Sequence, residues 1–162
     1  MFPNDDFALI AALDLDPIKT KLAHVESGEG WPLQRVVAVE TEYRRFLYLL
    51  KTFPKVEMAP LKDVDTFWHY HILDTMKYAR DCKQVFGYFL HHYPYLGMEG
   101  ENGPALQQQA AERIRELYQA TFKVPYARAT DLPATWCIGT DIAKAGDTQA
   151  AWCTGTHIVK TA

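Results

Sequence analysis

The chain has 162 residues, of which 48% are hydrophobic and 23% are charged. This length is typical of one domain, and this composition excludes wholesale disorder and collagen-like structure. The formal net charge of -3 provides no basic surface for nucleic acid or for an anionic membrane, so neither is expected as a partner.

The beginning of the chain and its cysteines both indicate a cytoplasmic protein. Asp14 and Asp16 interrupt the first apolar run, and no basic segment precedes that run, so we expect no signal peptide. No stretch of about 18 apolar residues is available to span a membrane. The 3 cysteines are an odd number at separated positions, which is typical of a reducing compartment rather than of a disulfide framework.

Helical periodicity begins near the N-terminus and is clearest from Pro32 to Phe53. In the first segment, Pro17 suits the first turn of a short helix whose N-cap is Asp16. In the second segment, apolar residues recur at three- and four-residue steps until Pro54 ends the pattern. The predicted inner face of this long helix consists of Val36, Val39, Tyr43, Phe46, Leu47 and Leu50.

Two further helices are predicted in the rest of the chain. The first runs without interruption from an N-cap at Asp63 to a stop at Gly87, and the second begins at Gly103-Pro104 and ends before Pro125. The apolar stripe of the first contains Val64, Phe67, Trp68, His71, Thr75, Tyr78, Cys82 and Phe86. The inner face of the second contains Leu106, Ala110, Ile114, Leu117 and Thr121.

The sequence therefore predicts an all-α fold, a small helical bundle of about four main helices over residues 1–129. Residues 130–162 are rich in Thr, Ala and Gly, and they repeat the pattern Trp-Cys-x-Gly-Thr at 136–140 and 152–156. Two copies are too few for a repeat fold. We expect a short irregular or extended C-terminal tail that packs on the helical domain; a thiol pair and a loose tail are the alternatives.

Histidine is concentrated in the predicted helix from Asp63 to Gly87 and in the segment that follows it. The cluster comprises Asp65, His69, His71, Asp81, Cys82, His91 and His92. Imidazole, carboxylate and thiolate are the ligands that borderline transition metals prefer. His69 and His71 are two residues apart, so on a regular helix they point about 200° away from each other. They cannot share one metal ion there, unlike the two histidines of an HExxH motif.

His69 and His71 should therefore have different roles. His71 lies on the apolar stripe and needs a buried partner, because a stranded polar group costs about 1–3 kcal/mol. Glu40 of the preceding helix is a candidate, and their contact could be a metal half-site, an acid–base pair or a core hydrogen bond. His69 lies one turn after Asp65, which is available as a hydrogen-bond partner or as a second ligand.

The path of the chain after Gly87 decides whether His91 or His92 joins this site. If the chain reverses there, one of them comes within reach of His71 through a bound metal; if the helix continues, Asp81 or Cys82 is nearer. The candidate metal ligands are His71, His69, His91, His92 and Asp65. The candidate pocket residues are Glu40, Trp68, Tyr78, Asp81, Cys82 and Tyr93.

The most distinctive stretch of the chain is its Trp-His-x-His core. The matching residues are Val64 to Leu73, Tyr78, Asp81, Cys82 and His91-His92. In this stretch the chain resembles the glycine-rich domain-containing protein-like family of plants, fungi and bacteria, over roughly residues 33–95. The chain lacks the glycine-rich extension, so nothing attributed to that extension carries over. The resemblance implies a functional role for His69 and His71, metal binding first among the options, but it names no reaction.

Two functions fit these patterns. In the first, the protein binds Zn or Fe, which suit imidazoles mixed with carboxylates, and an open coordination position activates water or dioxygen for reaction with a small molecule or peptide. In the second, the protein is a non-catalytic interaction module whose Trp-His-x-His motif is structural. Haem binding through His71 or His91 is a third option. No nucleotide cofactor is expected, because the sequence has neither a Gly-rich phosphate loop nor a Rossmann fingerprint.

Overall fold

The computed structural model describes residues 4–98 and 100–127, which form six α-helices. In chain order these are α1 (Asn4–Ala11), α2 (Asp16–Ala23), α3 (Leu33–Thr52), α4 (Lys62–Leu73), α5 (Thr75–Phe86) and α6 (Gly103–Phe122). No strand occurs within the two described ranges, which confirms the all-α prediction there, but the helices number six rather than about four. None of these helices has the length and hydrophobicity that a bilayer span requires. The predicted tail, residues 130–162, lies outside the described residues.

Helix α3 lies at the centre of the fold and contacts α1, α2, α4 and α6. It begins directly after Pro32 and is followed by Phe53 as its C-cap, as the apolar spacing and the prolines predicted. Because other helices cover it from several sides, four consecutive residues from Phe46 to Leu49 are all buried. The burial of α3 is therefore wider than the single predicted stripe.

A buried arginine connects α3 to the end of α1. The Arg44 guanidinium donates hydrogen bonds to the backbone carbonyls of Ile10, Ala11 and Leu13. Carbonyls at the end of a helix lack partners within the helix, and these bonds supply partners at the end of α1 and just beyond it. Arg44 also pairs with Glu40 at 2.6 Å. Its place in α3 therefore holds the N-terminal helix against the core.

Two of the predicted N-caps lie inside their helices rather than before them. Asp16 is the first residue of α2, and Asp63 lies in the first turn of α4; the N-cap positions are occupied by Leu15 and Leu61, without side-chain capping bonds. The Asp63 carboxylate instead accepts a hydrogen bond from Arg35 of α3 at 2.8 Å. Acidic residues in a first turn still favour the helix, because they face the positive end of its dipole.

The predicted uninterrupted helix from Asp63 to Gly87 is two helices that meet at Asp74. The backbone of Asp74 has φ -80° and ψ 71°, and its side chain accepts a hydrogen bond from the backbone N–H of Lys77. Asp is a strong N-cap, so it begins α5 where α4 ends. The apolar spacing does not mark the break, and Thr75, which it assigned to the apolar stripe, is exposed there.

Helix α6 packs on α3 through a face that agrees with the predicted one at Ala110 and Ile114 but differs from it towards both ends. Leu106 is exposed, whereas residues four apart along the helix are buried, namely Ala110, Ile114, Tyr118 and Phe122. Tyr118 is fixed in this face because its hydroxyl donates to Glu42 at 2.6 Å and accepts from Arg45 at 2.7 Å. A prediction from hydrophobic spacing takes no account of polar contacts of this kind, which is why it did not place Tyr118 on the buried face.

The chain reverses after α5. Gly87 has φ +79°, in the left-handed region that favours glycine, and it ends the helix as predicted. Residues 88–98, which we call the 88–98 segment, contain turns but neither helix nor strand. The segment returns to α4, where the ring of His92 packs on the indole of Trp68 with 4.4 Å between ring centroids. This reversal positions the candidate site.

Candidate metal centre

Asp65, His69 and His92 form a close group beside α4. Asp65 and His69 are four residues apart on this helix, so their side chains leave the same face; His92 comes from the 88–98 segment. The two histidine Nε2 atoms are 3.0 Å apart, His92 Nε2 is 3.0 Å from Asp65 Oδ1, and His69 Nε2 is 3.6 Å from Asp65 Oδ2. Within residues 4–98 and 100–127 no second group of three His, Cys, Asp or Glu ligands lies so close together.

These distances match the spacing of ligand atoms around one metal ion. Metal–ligand bonds of about 2.0–2.1 Å place neighbouring ligand atoms about 3.3 Å apart in a tetrahedron and about 3.0 Å apart in an octahedron. The observed separations of 3.0, 3.0 and 3.6 Å lie around these values. The three residues are therefore close enough to hold a single divalent ion between them.

Hydrogen bonding alone gives only one of the two 3.0 Å contacts of His92 Nε2 a hydrogen of its own. A carboxylate only accepts, and the Nε2 atom of a neutral imidazole either donates or accepts. If His92 Nε2 donates to Asp65, the same hydrogen must also serve His69. If His69 donates to His92 instead, the lone pair of His92 faces the Asp65 carboxylate. A cation between the three atoms removes this conflict, because each residue then contributes a lone pair.

The group lies at the protein surface and is covered on one side. The side chains of Asp65 and His69 are 34% and 48% exposed, while that of His92 is 14% exposed beneath the Trp68 ring. Three protein ligands leave further coordination positions open, as in catalytic rather than structural zinc sites. Two histidines and one carboxylate are also the ligand set of non-haem Fe(II) oxygenases.

His71 lies on the opposite face of α4 and belongs to a different cluster. Its Nδ1 atom is 2.8 Å from the Tyr43 hydroxyl, and its Nε2 atom is 2.9 Å from Asp81 Oδ2, which also accepts from Lys77 at 2.7 Å. We call these four residues the buried His71 network. It joins α3, α4 and α5 through hydrogen bonds that satisfy every imidazole nitrogen.

The protonation of the network follows from its partners. Because the Asp81 carboxylate only accepts, His71 Nε2 carries the hydrogen, and Nδ1 is free to accept from Tyr43. Burial lowers the pKa of His71, and the hydrogen bond to Asp81 opposes that effect in part. Burial raises the pKa of Tyr43 far above its ordinary value, so its hydroxyl remains a donor. The result is a neutral imidazole with no lone pair left for a metal.

Of the five predicted metal ligands, the structure brings together Asp65, His69 and His92. His71 is separated from them by the geometry of the helix, since residues two apart project from opposite faces. His91 is exposed, and its ring contacts Phe89 with 4.9 Å between centroids. The sequence predicts Asp65 as a partner of His69, and it leaves either His91 or His92 as a partner of His71; in the structure His92 joins His69 and Asp65.

The predicted pocket residues lie in several separate environments. The Trp68 indole N–H donates to the Tyr78 hydroxyl at 2.9 Å, and both rings are buried between α4 and α5. Cys82 is also buried, and burial raises the pKa of its thiol, so it has no thiolate character. These three residues are core, next to the candidate centre rather than part of a cleft.

The remaining predicted pocket residues lie elsewhere. Tyr93 is exposed and contacts Tyr95 edge to face, with 5.6 Å between ring centroids. Glu40 is not the partner of His71; it pairs with Arg44 and with Lys19 at 2.9 Å. Asp81 takes the role that had been considered for Glu40, as the carboxylate that accepts from His71.

Sequence reasoning did not single out Tyr43 and Lys77 as functional neighbours of His71. Tyr43 was assigned to the apolar face of α3, where the hydroxyl of a buried tyrosine needs a partner. Lys77 precedes Asp81 by four residues, a spacing that supports an ion pair on a helix. Both signals are present in the sequence, but neither identifies His71 as the shared partner.

A family model described as UCP032817-like matches residues 16–134. The chain belongs to the UCP032817-like family. The match includes the whole Asp65–His69–His92 group and the buried His71 network, and its description names no activity. No curated protein and no solved structure matches the chain.

Proposed function

We propose that this member of the UCP032817-like family binds a divalent transition-metal ion through Asp65, His69 and His92. The observation that carries the proposal is the convergence of one carboxylate and two imidazoles, with ligand atoms 3.0–3.6 Å apart. Zn²⁺ and Fe²⁺ both suit this ligand set. The resemblance to the glycine-rich domain-containing protein-like family stays a prediction alongside this proposal.

We further propose that the bound ion is catalytic and acts on a small molecule or a peptide. Three protein ligands leave positions for water and substrate, and the half-exposed His69 leaves the ion open to both. An ion held in this way can polarise a substrate oxygen or lower the pKa of bound water to about 7. The protein would supply the three ligands, together with the Trp68 ring that packs on His92.

Elemental analysis of untagged protein tests the metal proposal, with an absorption spectrum recorded on the same sample. We expect about one Zn or Fe per chain in the wild type, and loss of most of it in His69→Ala and in His92→Ala. His91→Ala is the matched control, because it removes an exposed histidine adjacent to His92 that is outside the group. This control should retain the metal.

Two results would contradict the proposal. One is stoichiometric metal in both His69→Ala and His92→Ala. The other is a wild-type protein that retains no metal after incubation with Zn²⁺, or with Fe²⁺ without oxygen, followed by desalting. Equal loss in His91→Ala would show that binding is not specific to the three named residues.

A second candidate function is a non-catalytic interaction module. The observation that favours it is the exposure of Tyr88, Phe89, Tyr95 and Met98, which are 50%, 44%, 56% and 77% exposed in the 88–98 segment. Apolar side chains grouped at a surface are typical of binding sites. A wild type that retains no metal after incubation with Zn²⁺ or Fe²⁺ and desalting would favour this function over the first.

A further inference from the structure

We infer that Tyr78 is a positioning residue for the metal centre: its hydroxyl fixes the backbone from which His92 reaches Asp65 and His69. This inference rests on the proposed metal site and extends it to a residue that touches none of the three ligand side chains.

The positioning depends on a short chain of hydrogen bonds. The Trp68 indole N–H donates to the Tyr78 hydroxyl at 2.9 Å, and that hydroxyl donates to the backbone carbonyl of Leu90 at 2.6 Å. Leu90 is two residues before His92. The bonds therefore connect α4 and α5 to the segment that carries the third ligand.

Ring contacts act on the same part of the chain. Trp68 packs on His92, with 4.4 Å between centroids, and Tyr78 meets Phe89 edge to face, with 5.3 Å between centroids. The 88–98 segment has no helix or strand to hold it. Its position beside α4 thus depends on side chains. The Tyr78 hydroxyl bonds to the Leu90 carbonyl two residues before His92, and the Leu90 backbone also has a hydrogen bond with the Cys82 thiol.

The hydroxyl must act as a donor to hold Leu90. Burial raises the pKa of Tyr78 far above its ordinary value, so the proton is retained at any pH at which the protein would be studied. Loss of the hydroxyl leaves the Leu90 carbonyl and the buried Trp68 N–H without this partner. We expect Leu90 to shift towards another donor, and His92 to shift with it.

Tyr78→Phe and Tyr43→Phe form a matched pair for the test. Both remove a buried tyrosine hydroxyl next to α4 and keep the ring, but Tyr43 bonds to His71 rather than to the 88–98 segment. We expect Tyr78→Phe to weaken Zn²⁺ binding by about 10-fold or more, the usual effect of losing an outer hydrogen bond at a metal site. Tyr43→Phe should bind Zn²⁺ as the wild type does, although it also loses stability.

The visible absorption of bound Co²⁺ provides a readout that general destabilisation does not change. In Tyr78→Phe we expect a shifted or weaker Co²⁺ spectrum even at saturating metal, because the imidazole of His92 is displaced. In Tyr43→Phe the spectrum should equal that of the wild type. If Tyr78→Phe does not fold, Trp68→Phe is the second variant. It removes the hydrogen bond that the Tyr78 hydroxyl accepts and also changes the ring that packs on His92, so it should weaken Zn²⁺ binding at least as much.

The outcomes separate the two proposals. A wild type that binds neither Zn²⁺ nor Co²⁺ overturns the metal site and this inference together. A wild type that binds, with Tyr78→Phe equal to it in affinity and in Co²⁺ spectrum, overturns only the role of Tyr78. Equal weakening in Tyr43→Phe also overturns that role, because the effect would then come from lost stability.

Discussion

The two histidines of the Trp-His-x-His motif have opposite environments. His69 is half exposed and faces Asp65 and His92. His71 is 2% exposed, and both of its ring nitrogens are hydrogen-bonded. One helical motif therefore serves a surface site and the core at once, since a two-residue spacing directs side chains to opposite faces. Single substitutions should separate the two roles.

His71→Ala should destabilise the fold without emptying the metal centre. We expect the free energy of unfolding to fall by about 3 kcal/mol, because the change opens a cavity and removes a partner from both Tyr43 and Asp81. The metal content of the folded fraction should remain that of the wild type. Urea denaturation and elemental analysis of the same preparation measure both quantities.

His69→Ala is the reciprocal variant. In metal-free protein it should change the free energy of unfolding by no more than about 0.5 kcal/mol, because the side chain is half exposed, and it should lose the metal. If folded His71→Ala contains no metal while the wild type does, the buried His71 network is part of the metal site.

At the scale of the elements, the break at Asp74 makes the buried contacts possible. His71 bonds to Asp81, and Trp68 to Tyr78, across ten positions in the sequence. On one straight helix, ten residues span about 15 Å, far beyond hydrogen-bond distance. Only because α5 turns back on α4 can these pairs meet. The junction therefore determines both the core and the support of the candidate site.

Asp74→Ala should weaken this junction. We expect a loss of about 1 kcal/mol in the free energy of unfolding, the usual effect of removing an N-cap, because the Lys77 N–H loses its acceptor. Gln84→Ala, on the exposed part of the same helix, is the control and should have little effect. An Asp74→Ala protein as stable as the control would mean that packing alone holds the junction.

At the scale of the whole molecule, buried charges on α3 hold distant helices. Arg44 binds the end of α1, and Glu42 with Arg45 binds Tyr118 of α6. Each of these bonds joins parts of the chain that are far apart in sequence. These buried charged side chains lose water when the protein folds and gain hydrogen bonds in exchange. Because only the charged form loses so much hydration, their contribution to stability depends on whether they are ionised.

Glu42 should make the stability of the fold dependent on pH. Burial raises the pKa of Glu42 above its ordinary 4.5, with Arg45 and Tyr118 opposing the effect in part. The folded protein then holds this proton more tightly than the unfolded chain, so the contribution of Glu42 to stability falls as pH rises above about 4.5. Unfolding free energies from urea denaturation at pH 4.5 and pH 7 measure it.

The comparison with Glu42→Gln isolates this effect. The stability of the wild type relative to Glu42→Gln should be greater at pH 4.5 than at pH 7, because only the wild type loses this contribution. Glu116→Gln, on the exposed face of α6, controls for the loss of one carboxylate. A relative stability that rises with pH would show that Arg45 outweighs burial.

The features that the sequence predicted well depend on neighbouring residues. The limits of α3 follow from Pro32 and Pro54, and the end of α5 follows from Gly87. The restricted φ of proline and the positive φ of glycine both act within one helical turn. The proximity of Asp65 and His69 is equally local, because a four-residue spacing aligns side chains on any helix. The all-α class is the sum of such local preferences.

By itself the sequence determined the helical class, the limits of α3, the end of α5 and the proximity of Asp65 and His69 on α4, all of which arise from steric and hydrogen-bonding effects within a few residues. Tertiary structure alone decided that His92 joins this pair, that His71 pairs with Tyr43 and Asp81, and that Glu40 does not. Those outcomes depend on the angle between α4 and α5 and on the reversal at Gly87. Such long-range geometry is set by packing of the whole core, which no local pattern encodes.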